Sequence, residues 1–260
     1  MTTPFDRVIA DVERRRYHNH RLQIHSDLVG EGIFEGLVGG CPHFREDVKH
    51  GTIRKWLNWP APGARNRKID LLVSGAEKKG EKPDLTQMRV CIENKSVITA
   101  HRNRDARFDD LNEALKVLHH VKPEAILVAT VMIGTAERVL NVPDELKKRF
   151  KKDELGFMKT VLPRLSSGDG KLWKDYAWAV SENRPMDPRR TLEKFRQLPT
   201  RPAGHTHVEG YDFLLFVPVH IDNVNPPKLA RQNSLGIDID HDYEVMLESI
   251  CKAYRTRWHL

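Results

Sequence analysis

The sequence predicts an α/β fold in which a mixed central sheet is flanked by helices. Residues 67–75 and 89–98 alternate in polarity as strands do, with apolar side chains on one face. Residues 105–121 repeat leucines at helical spacing, which indicates an amphipathic helix. Residues 124–134 form an unbroken apolar run, typical of a strand covered on both faces. The strand–helix–strand order predicts that the strands at 89–98 and 124–134 are parallel.

Composition indicates a single soluble domain with an anionic partner. The chain has 260 residues and a formal net charge of 43 − 36 = +7, which favours nucleic acid first and an anionic membrane surface second. No apolar run approaches the ~20 residues of a membrane span, and the N-terminus lacks the apolar core of a secretory signal. Three dispersed cysteines favour reduced thiols and a cytoplasmic protein.

Before the first of these strands, the pattern predicts two helices and then a strand. Residues 1–25 read as a helix with a charged face, and a second helix follows to Gly40, capped by Ser26 or Asp27. Residues 44–59 read as a strand and turn whose tryptophans pack in or beside the core.

After residue 134 the sequence predicts a basic helical insertion at about 141–201, which includes the aromatic residues Trp173, Tyr176 and Trp178. A strand at 211–222 then returns to the sheet, and a helix with an acidic start at Asp238 ends the chain. A second metal site at that acidic start is an alternative, but an acidic helix N-terminus is the simpler explanation.

Three charged side chains are expected to converge on the two alternating strands. Glu93 and Lys95 are two apart and therefore share a strand face, while Asp70 faces opposite to its apolar neighbours. If the strands are adjacent, Asp70, Glu93 and Lys95 meet. Two carboxylates suit a hard divalent cation such as Mg²⁺, which activates water and neutralises phosphate oxygens. A lysine beside them can orient the water or stabilise developing charge.

This pattern, Ile69-Asp70 followed by Glu93-Asn94-Lys95, resembles the PD-(D/E)xK nuclease superfamily, with isoleucine in place of the usual proline. The resemblance implies a restriction-endonuclease-like α/β sandwich, with a catalytic core at about 27–135 and a returning strand at 211–219. It also implies that the Asn94 carbonyl joins the metal ligands. An acidic residue from an early helix, here Glu35 or Glu31, is a further candidate ligand.

The resemblance further implies a Mg²⁺-dependent, sequence-specific DNA endonuclease of the type II restriction class. Mn²⁺ is expected to substitute for Mg²⁺. Double-stranded DNA is the expected substrate, a homodimer the expected assembly, and a cognate methyltransferase a companion in the same system. Basic residues near the motif are candidate phosphate contacts. They are Arg65, Arg67, Arg102, Arg104 and Arg107.

The sequence allows alternatives for the motif aspartate and for the function. Pro83-Asp84 is a rival for the aspartate of the motif, although it has the composition of a turn. The same site would also suit a nuclease subunit of a phage-defence or transposition complex. A non-catalytic DNA-binding protein would account for the charge and the arginine-rich loops, with the motif a coincidence.

Overall fold

The computed structural model describes residues 2–14, 22–63, 67–77, 80–98, 101–141, 148, 164, 179–223 and 225–259. Its strands are β1 (Arg54–Pro60), β2 (Lys68–Ala76), β3 (Pro83–Val97), β4 (Ile126–Gly134), β5 (Arg138–Asn141), β6 (Ala179–Glu182), β7 (Phe213–His220) and β8 (Lys228–Leu229). Its helices are α1 (Pro4–Arg14), α2 (Gln23–Gly40), α3 (Pro42–Lys49), α4 (Arg104–Val121), α5 (Asp187–Phe195) and α6 (Ile239–Trp258).

A six-stranded mixed sheet, in the order β1-β2-β3-β4-β7-β8, is the centre of the fold. Strands β1, β2 and β3 form an antiparallel meander. Helix α4 then carries the chain over to β4, which pairs in parallel with both β3 and β7. The predicted α/β class, the parallel pairing and the returning strand are therefore confirmed.

Helices cover this sheet in two groups. Helices α2 and α6 contact each other and the sheet, while α4 and α5 contact each other and the sheet. Every residue of β4 is buried, as its unbroken apolar sequence predicts for a strand covered on both faces. Within the described ranges, no helix has both the length and the apolar character needed to cross a bilayer.

Two predicted boundaries at the start of the chain are wrong. Residues 42–49 form helix α3 rather than part of a strand, because Pro42 is well placed in a first helical turn and Phe44 and Asp47 are buried three residues apart. Helix α2 begins at Gln23 after Leu22, so neither Ser26 nor Asp27 caps it. Their side chains instead accept hydrogen bonds from the sheet, Ser26 from Asn94 of β3 and Asp27 from Asn58 of β1.

The predicted basic insertion lies largely outside the described residues, including Trp173, Tyr176 and Trp178. Its described end supplies β6, which pairs with β5 in a small antiparallel sheet, and helix α5, which confirms a helix there.

Helix α6 fastens the C-terminus to α2. Asp238 caps the helix: its Oδ1 accepts a hydrogen bond from the backbone N–H of His241 at 3.1 Å, as an acidic helix start predicts. A Cβ on Gly36 would lie 2.9 Å from Leu247, so glycine permits close packing of the two helices. A disulfide joins Cys41 to Cys251, which corrects the expectation of reduced cysteines. The two cysteines are 210 residues apart in sequence, and nothing local to either predicts the pairing.

A second contact of α6 centres on the carboxylate of Asp47 in α3. Its Oδ2 accepts hydrogen bonds from Tyr254 at 2.5 Å, Arg89 at 2.8 Å and His259 at 2.9 Å. Burial alone would raise the pKa of Asp47, but the hydrogen bonds from Tyr254 and His259 and the charge of Arg89 hold it below its usual value. This carboxylate thus joins α3, β3 and α6.

Replacing Asp47 by alanine should lower the free energy of unfolding by about 3 kcal/mol, because Arg89 and Tyr254 lose their common acceptor. A lowered carboxyl pKa stabilises the fold above the unfolded value, so the difference should shrink as pH falls below about 4. Urea denaturation measures both effects. Glu46→Ala, at an exposed position of the same helix, should stay within about 0.5 kcal/mol of the parent. Equal effects of the two substitutions would contradict this account.

Candidate active site

The three predicted side chains do meet where β2 and β3 run side by side. Leu71 pairs with Ile92, and continuing that antiparallel register by one residue places Asp70 opposite Glu93. Oδ2 of Asp70 accepts a hydrogen bond from the backbone N–H of Asn94 at 2.7 Å. The Lys95 ammonium donates to Oε2 of Glu93 at 2.9 Å.

Glu93 is buried and only half satisfied. The residue is 2% exposed, and its second carboxyl oxygen, Oε1, has no hydrogen-bond partner among the described residues. Burial raises the pKa of Glu93 to about 7, with Asp70 raising it further and Lys95 opposing the rise. A carboxylate oxygen left bare in such a place is uncommon in a folded protein and calls for an additional partner.

Lys95 remains a cation in this cluster. Burial alone would lower its pKa, but the charges of Glu93 and Asp70 raise it above its ordinary value. The ammonium lies at the boundary between Glu93, which is enclosed, and a pocket that Lys95 helps to line. It is therefore placed to reach a ligand in the pocket while keeping its contact with Glu93.

Asn94 fixes the strand between these charges. The side-chain Nδ2 of Asn94 donates to Oγ of Ser26 at 3.0 Å, and its side-chain Oδ1 accepts from the Thr130 hydroxyl at 2.6 Å. These bonds tie β3 to α2 on one side and to β4 on the other. The Asn94 side chain is thus occupied, which is consistent with a metal role for its backbone carbonyl alone.

The donor set suits a divalent ion that keeps several waters. Among the described residues, no group of three or more His, Cys, Asp or Glu side chains is arranged to hold a metal ion. The predicted site needs only two such side chains. The Asp70 and Glu93 carboxylates and a backbone carbonyl would bind the ion, and water molecules would complete its octahedral coordination. The bare Oε1 of Glu93 fits that demand.

The early-helix glutamates lie elsewhere. Glu35 pairs with Arg7 of α1 at 2.9 Å, and Glu31 pairs with Lys55 of β1 at 3.1 Å. The turns of α2 that line the pocket come before both of them. The expectation that Glu35 or Glu31 joins Asp70 at the metal is therefore corrected: each is engaged by a surface cation.

Asp84, the alternative aspartate for the motif, lies far from Glu93. Asp84 pairs with Gly75 at the far end of the β2–β3 ladder, nine residues before Glu93 in the same strand, or ~30 Å at the usual rise. Its carboxylate accepts from Thr86 and Gln87 beside it. Asp84 therefore cannot share a ligand with Glu93, and Asp70 is the aspartate of the site.

The arginines vary in availability. Arg67 already pairs with Glu113 at 3.1 Å and with Asp110 at 3.6 Å. Arg107 bonds to Asp110 at 2.8 Å but also lines the pocket. Arg104 makes a long contact of 3.5 Å with Asp105. Arg65 and the side chain of Arg102 lie outside what the structure describes.

The pocket itself has a volume of about 310 Å³ and lies between the start of α2 and the later parts of β3 and β4. Its lining includes His25, Ser26, Asp70, Asn94, Lys95 and Arg107. His25 and Asp110 are missing from the predicted site. The sequence does not single out Asp110, because α4 carries several other charged residues. It does not single out His25 either, because no motif surrounds that residue.

Asn58 is a further unpredicted neighbour. It lies between the pairs Leu57–Leu71 and Trp59–Ile69, hence across from Asp70, yet its backbone is left-handed with φ of 54°. Its side chain donates to Asp27 of α2 at 2.6 Å. Asparagine tolerates this conformation, so the β1–β2 ladder is interrupted beside Asp70 at little strain.

Comparison with known proteins gives no relative for this site. No protein-family model, no curated protein and no solved structure matches the chain.

The pKa of Glu93 predicts a pH-dependent difference in stability. A carboxyl with a pKa of about 7 in the folded state and an ordinary value of 4.5 stabilises the fold at low pH and loses that contribution as pH rises through 7. The unfolding free energy of the parent relative to Glu93→Gln should therefore fall between pH 5 and pH 8, by roughly 3 kcal/mol at most. Glu31→Gln, which removes a carboxylate that is 40% exposed, is the control for loss of a glutamate charge. An unfolding free energy of Glu93→Gln relative to the parent that does not change with pH would contradict the burial argument.

Proposed function

We propose that this chain is a Mg²⁺-dependent DNA endonuclease of the type II restriction class that hydrolyses phosphodiester bonds in double-stranded DNA. The observation that carries the proposal is the buried Oε1 of Glu93, beside Asp70 and Lys95, for which the described part of the chain supplies no hydrogen-bond partner. Buried carboxylate oxygens in folded proteins usually have hydrogen-bond partners. A half-satisfied carboxylate is suited to receive a cation.

Asp70, Glu93 and the backbone carbonyl of Asn94 would hold the metal. When bound, Mg²⁺ supplies Lewis-acid stabilisation of the phosphate and a water of lowered pKa. The residues meet its preference for oxygen ligands, and the open pocket in front of Asp70 leaves room for water and substrate. Mn²⁺ has similar ligand preferences and should replace Mg²⁺.

Lys95 would position the attacking water and stabilise the charge that develops on the phosphate. Its ammonium is charged, anchored by Glu93 and adjacent to the pocket. Fixed donors of this kind are worth most where charge builds up in the transition state. Asp70 and Glu93 keep the ammonium in place through their negative charges.

Arg104 and Arg107 would contact the DNA backbone near the cut. The contact of Arg104 with Asp105 is long, at 3.5 Å, and Arg107 lines the pocket while its guanidinium donates to Asp110. The net charge of +7 supports a polyanionic substrate. Cutting both strands of a duplex would require two copies of this single site, hence the expected homodimer, and a methyltransferase would protect the host's own sites.

The test is digestion of a sequenced plasmid by the purified chain with Mg²⁺, followed by mapping of the ends. Glu93→Ala and Lys95→Ala should each reduce the cleavage rate by at least about 10²-fold, while DNA affinity in EDTA changes little. Mn²⁺ should restore cleavage after EDTA treatment. Recurrent ends at one sequence would support site-specific cutting.

Glu31→Ala is the matched control, because Glu31 is a glutamate of the same region with its own cation partner. It should cut at the parental rate. Retained cleavage by both Glu93→Ala and Lys95→Ala would overturn the mechanism. Cleavage that appears only with a co-encoded partner would favour the subunit of a larger assembly, and DNA binding without metal binding would favour the non-catalytic alternative.

A further inference from the structure

A groove runs along the C-terminal helix α6, on the side where that helix contacts the later turns of α2. Its volume is about 680 Å³. The apolar part of its lining consists of Leu37, Leu247 and the disulfide between Cys41 and Cys251. A Cβ on Gly40, which also lines the groove, would meet nothing within 4 Å. The groove is therefore open to a second surface.

Six residues of α6 line this groove and form one stripe along the helix. Their spacing of i, i+3, i+4, i+7, i+8 and i+11 is that of a single helical face. They are Glu244, Leu247, Glu248, Cys251, Lys252 and Arg255. The two acidic residues lie in the N-terminal half of the stripe and the two basic residues in its C-terminal half, so the charges of the stripe are separated by sign.

The four charged residues of the stripe are exposed, and among the described residues none of them has an ion-pair partner. Other charges of α6 are paired within the chain: Asp240 contacts Arg231, and Arg257 contacts Asp212. The charges in the groove are therefore available to a complementary surface.

Two copies of the stripe complement each other when they are antiparallel. The six positions are symmetric about the midpoint of the stripe, so a two-fold axis at that point sets Glu244 opposite Arg255 of the partner subunit. The same axis sets Leu247 opposite Lys252 of the partner subunit, and Glu248 lies next to that lysine. A parallel arrangement would instead place acid beside acid.

We propose that this groove is the interface of a two-fold symmetric dimer, in which α6 of each copy lies in the groove of the other. Ion pairs across the axis fix the antiparallel direction, and the apolar lining supplies area to bury. The dimer names a surface for the homodimer expected under the proposed function, although it rests on α2 and α6 and involves no catalytic residue.

The active-site pocket stays uncovered in this dimer. Its lining on α2 ends at Val29, whereas the lining of the groove begins at Gly36. Seven residues of helix separate the two positions by about 10 Å. Each copy therefore keeps its own pocket open.

The oligomeric state of the whole chain is measured by sedimentation velocity in EDTA, without DNA. A reversible dimer is expected, and its dissociation constant should increase as salt is added, because salt screens the ion pairs across the axis. A parent chain that is still monomeric at about 100 µM, where a specific interface would be occupied, would leave the groove to another occupant and overturn the proposal.

Exchange of charges identifies the surface. Arg255→Glu and Glu244→Arg each place like charges opposite one another, so each variant alone should dimerise at least about tenfold more weakly than the parent. An equal mixture of the two variants should form a heterodimer, which native mass spectrometry resolves, because each variant then supplies the charge that the other lacks. Misfolded variants would not recover on mixing. Parental dimerisation by both single variants, or no recovery in the mixture, would overturn the proposal.

Glu193→Arg is the matched control, because it makes the same change of charge at an exposed position of α5, outside the groove. It should dimerise as the parent does, and equal weakening by this substitution would also overturn the proposal. Failure here is distinguishable from failure of the nuclease proposal, since metal and DNA are absent throughout. A chain that dimerises through α6 but never cuts DNA keeps this inference and loses the other.

Discussion

The antiparallel pairing of β2 with β3 is the constraint on which the candidate site depends. Its register decides which β2 residue faces Glu93, and a slip by one residue would turn Asp70 to the opposite face of the sheet. Apolar neighbours on the reverse face, Leu71 and Ile92 among them, are fully buried and so hold the register. The same burial that fixes the strands also removes Glu93 from water, which links the stability of the core to the chemistry of the site.

The charges of the site destabilise the folded protein. A buried carboxylate next to a second carboxylate is unfavourable, and Lys95 offsets only part of this, as the raised pKa of Glu93 indicates. Functional sites are where proteins tolerate such conflicts. By contrast, the Asp47 carboxylate in the same chain accepts from Arg89, Tyr254 and His259, and its pKa is lowered. Two things differ: Glu93 is the more deeply buried of the two, and it receives fewer hydrogen bonds from the described residues than Asp47 does.

The sequence was informative where periodicity or local alternation dominates. The pattern of β2, β3, α4 and β4 predicted the sheet core, the parallel crossover and the convergence of Asp70, Glu93 and Lys95. It was misleading at residues 44–49, where a short helix has no strong pattern of its own, and at Glu35, because the resemblance does not specify which turn of a helix faces the site. His25 and the pairing of Cys41 with Cys251 depend on contacts between distant segments, which no local pattern records.

The packing of α6 against α2 has a consequence for how the protein is made. Helix α2 lines the pocket with its first turns, yet its other face rests on Tyr243 and Leu247 and is joined to Cys251, all near the C-terminus. During synthesis α2 therefore emerges long before the helix that supports it, and also before β7 and β8, which complete the sheet. The pocket that α2 lines can therefore take its final form only after α6 has been synthesised and has packed against α2.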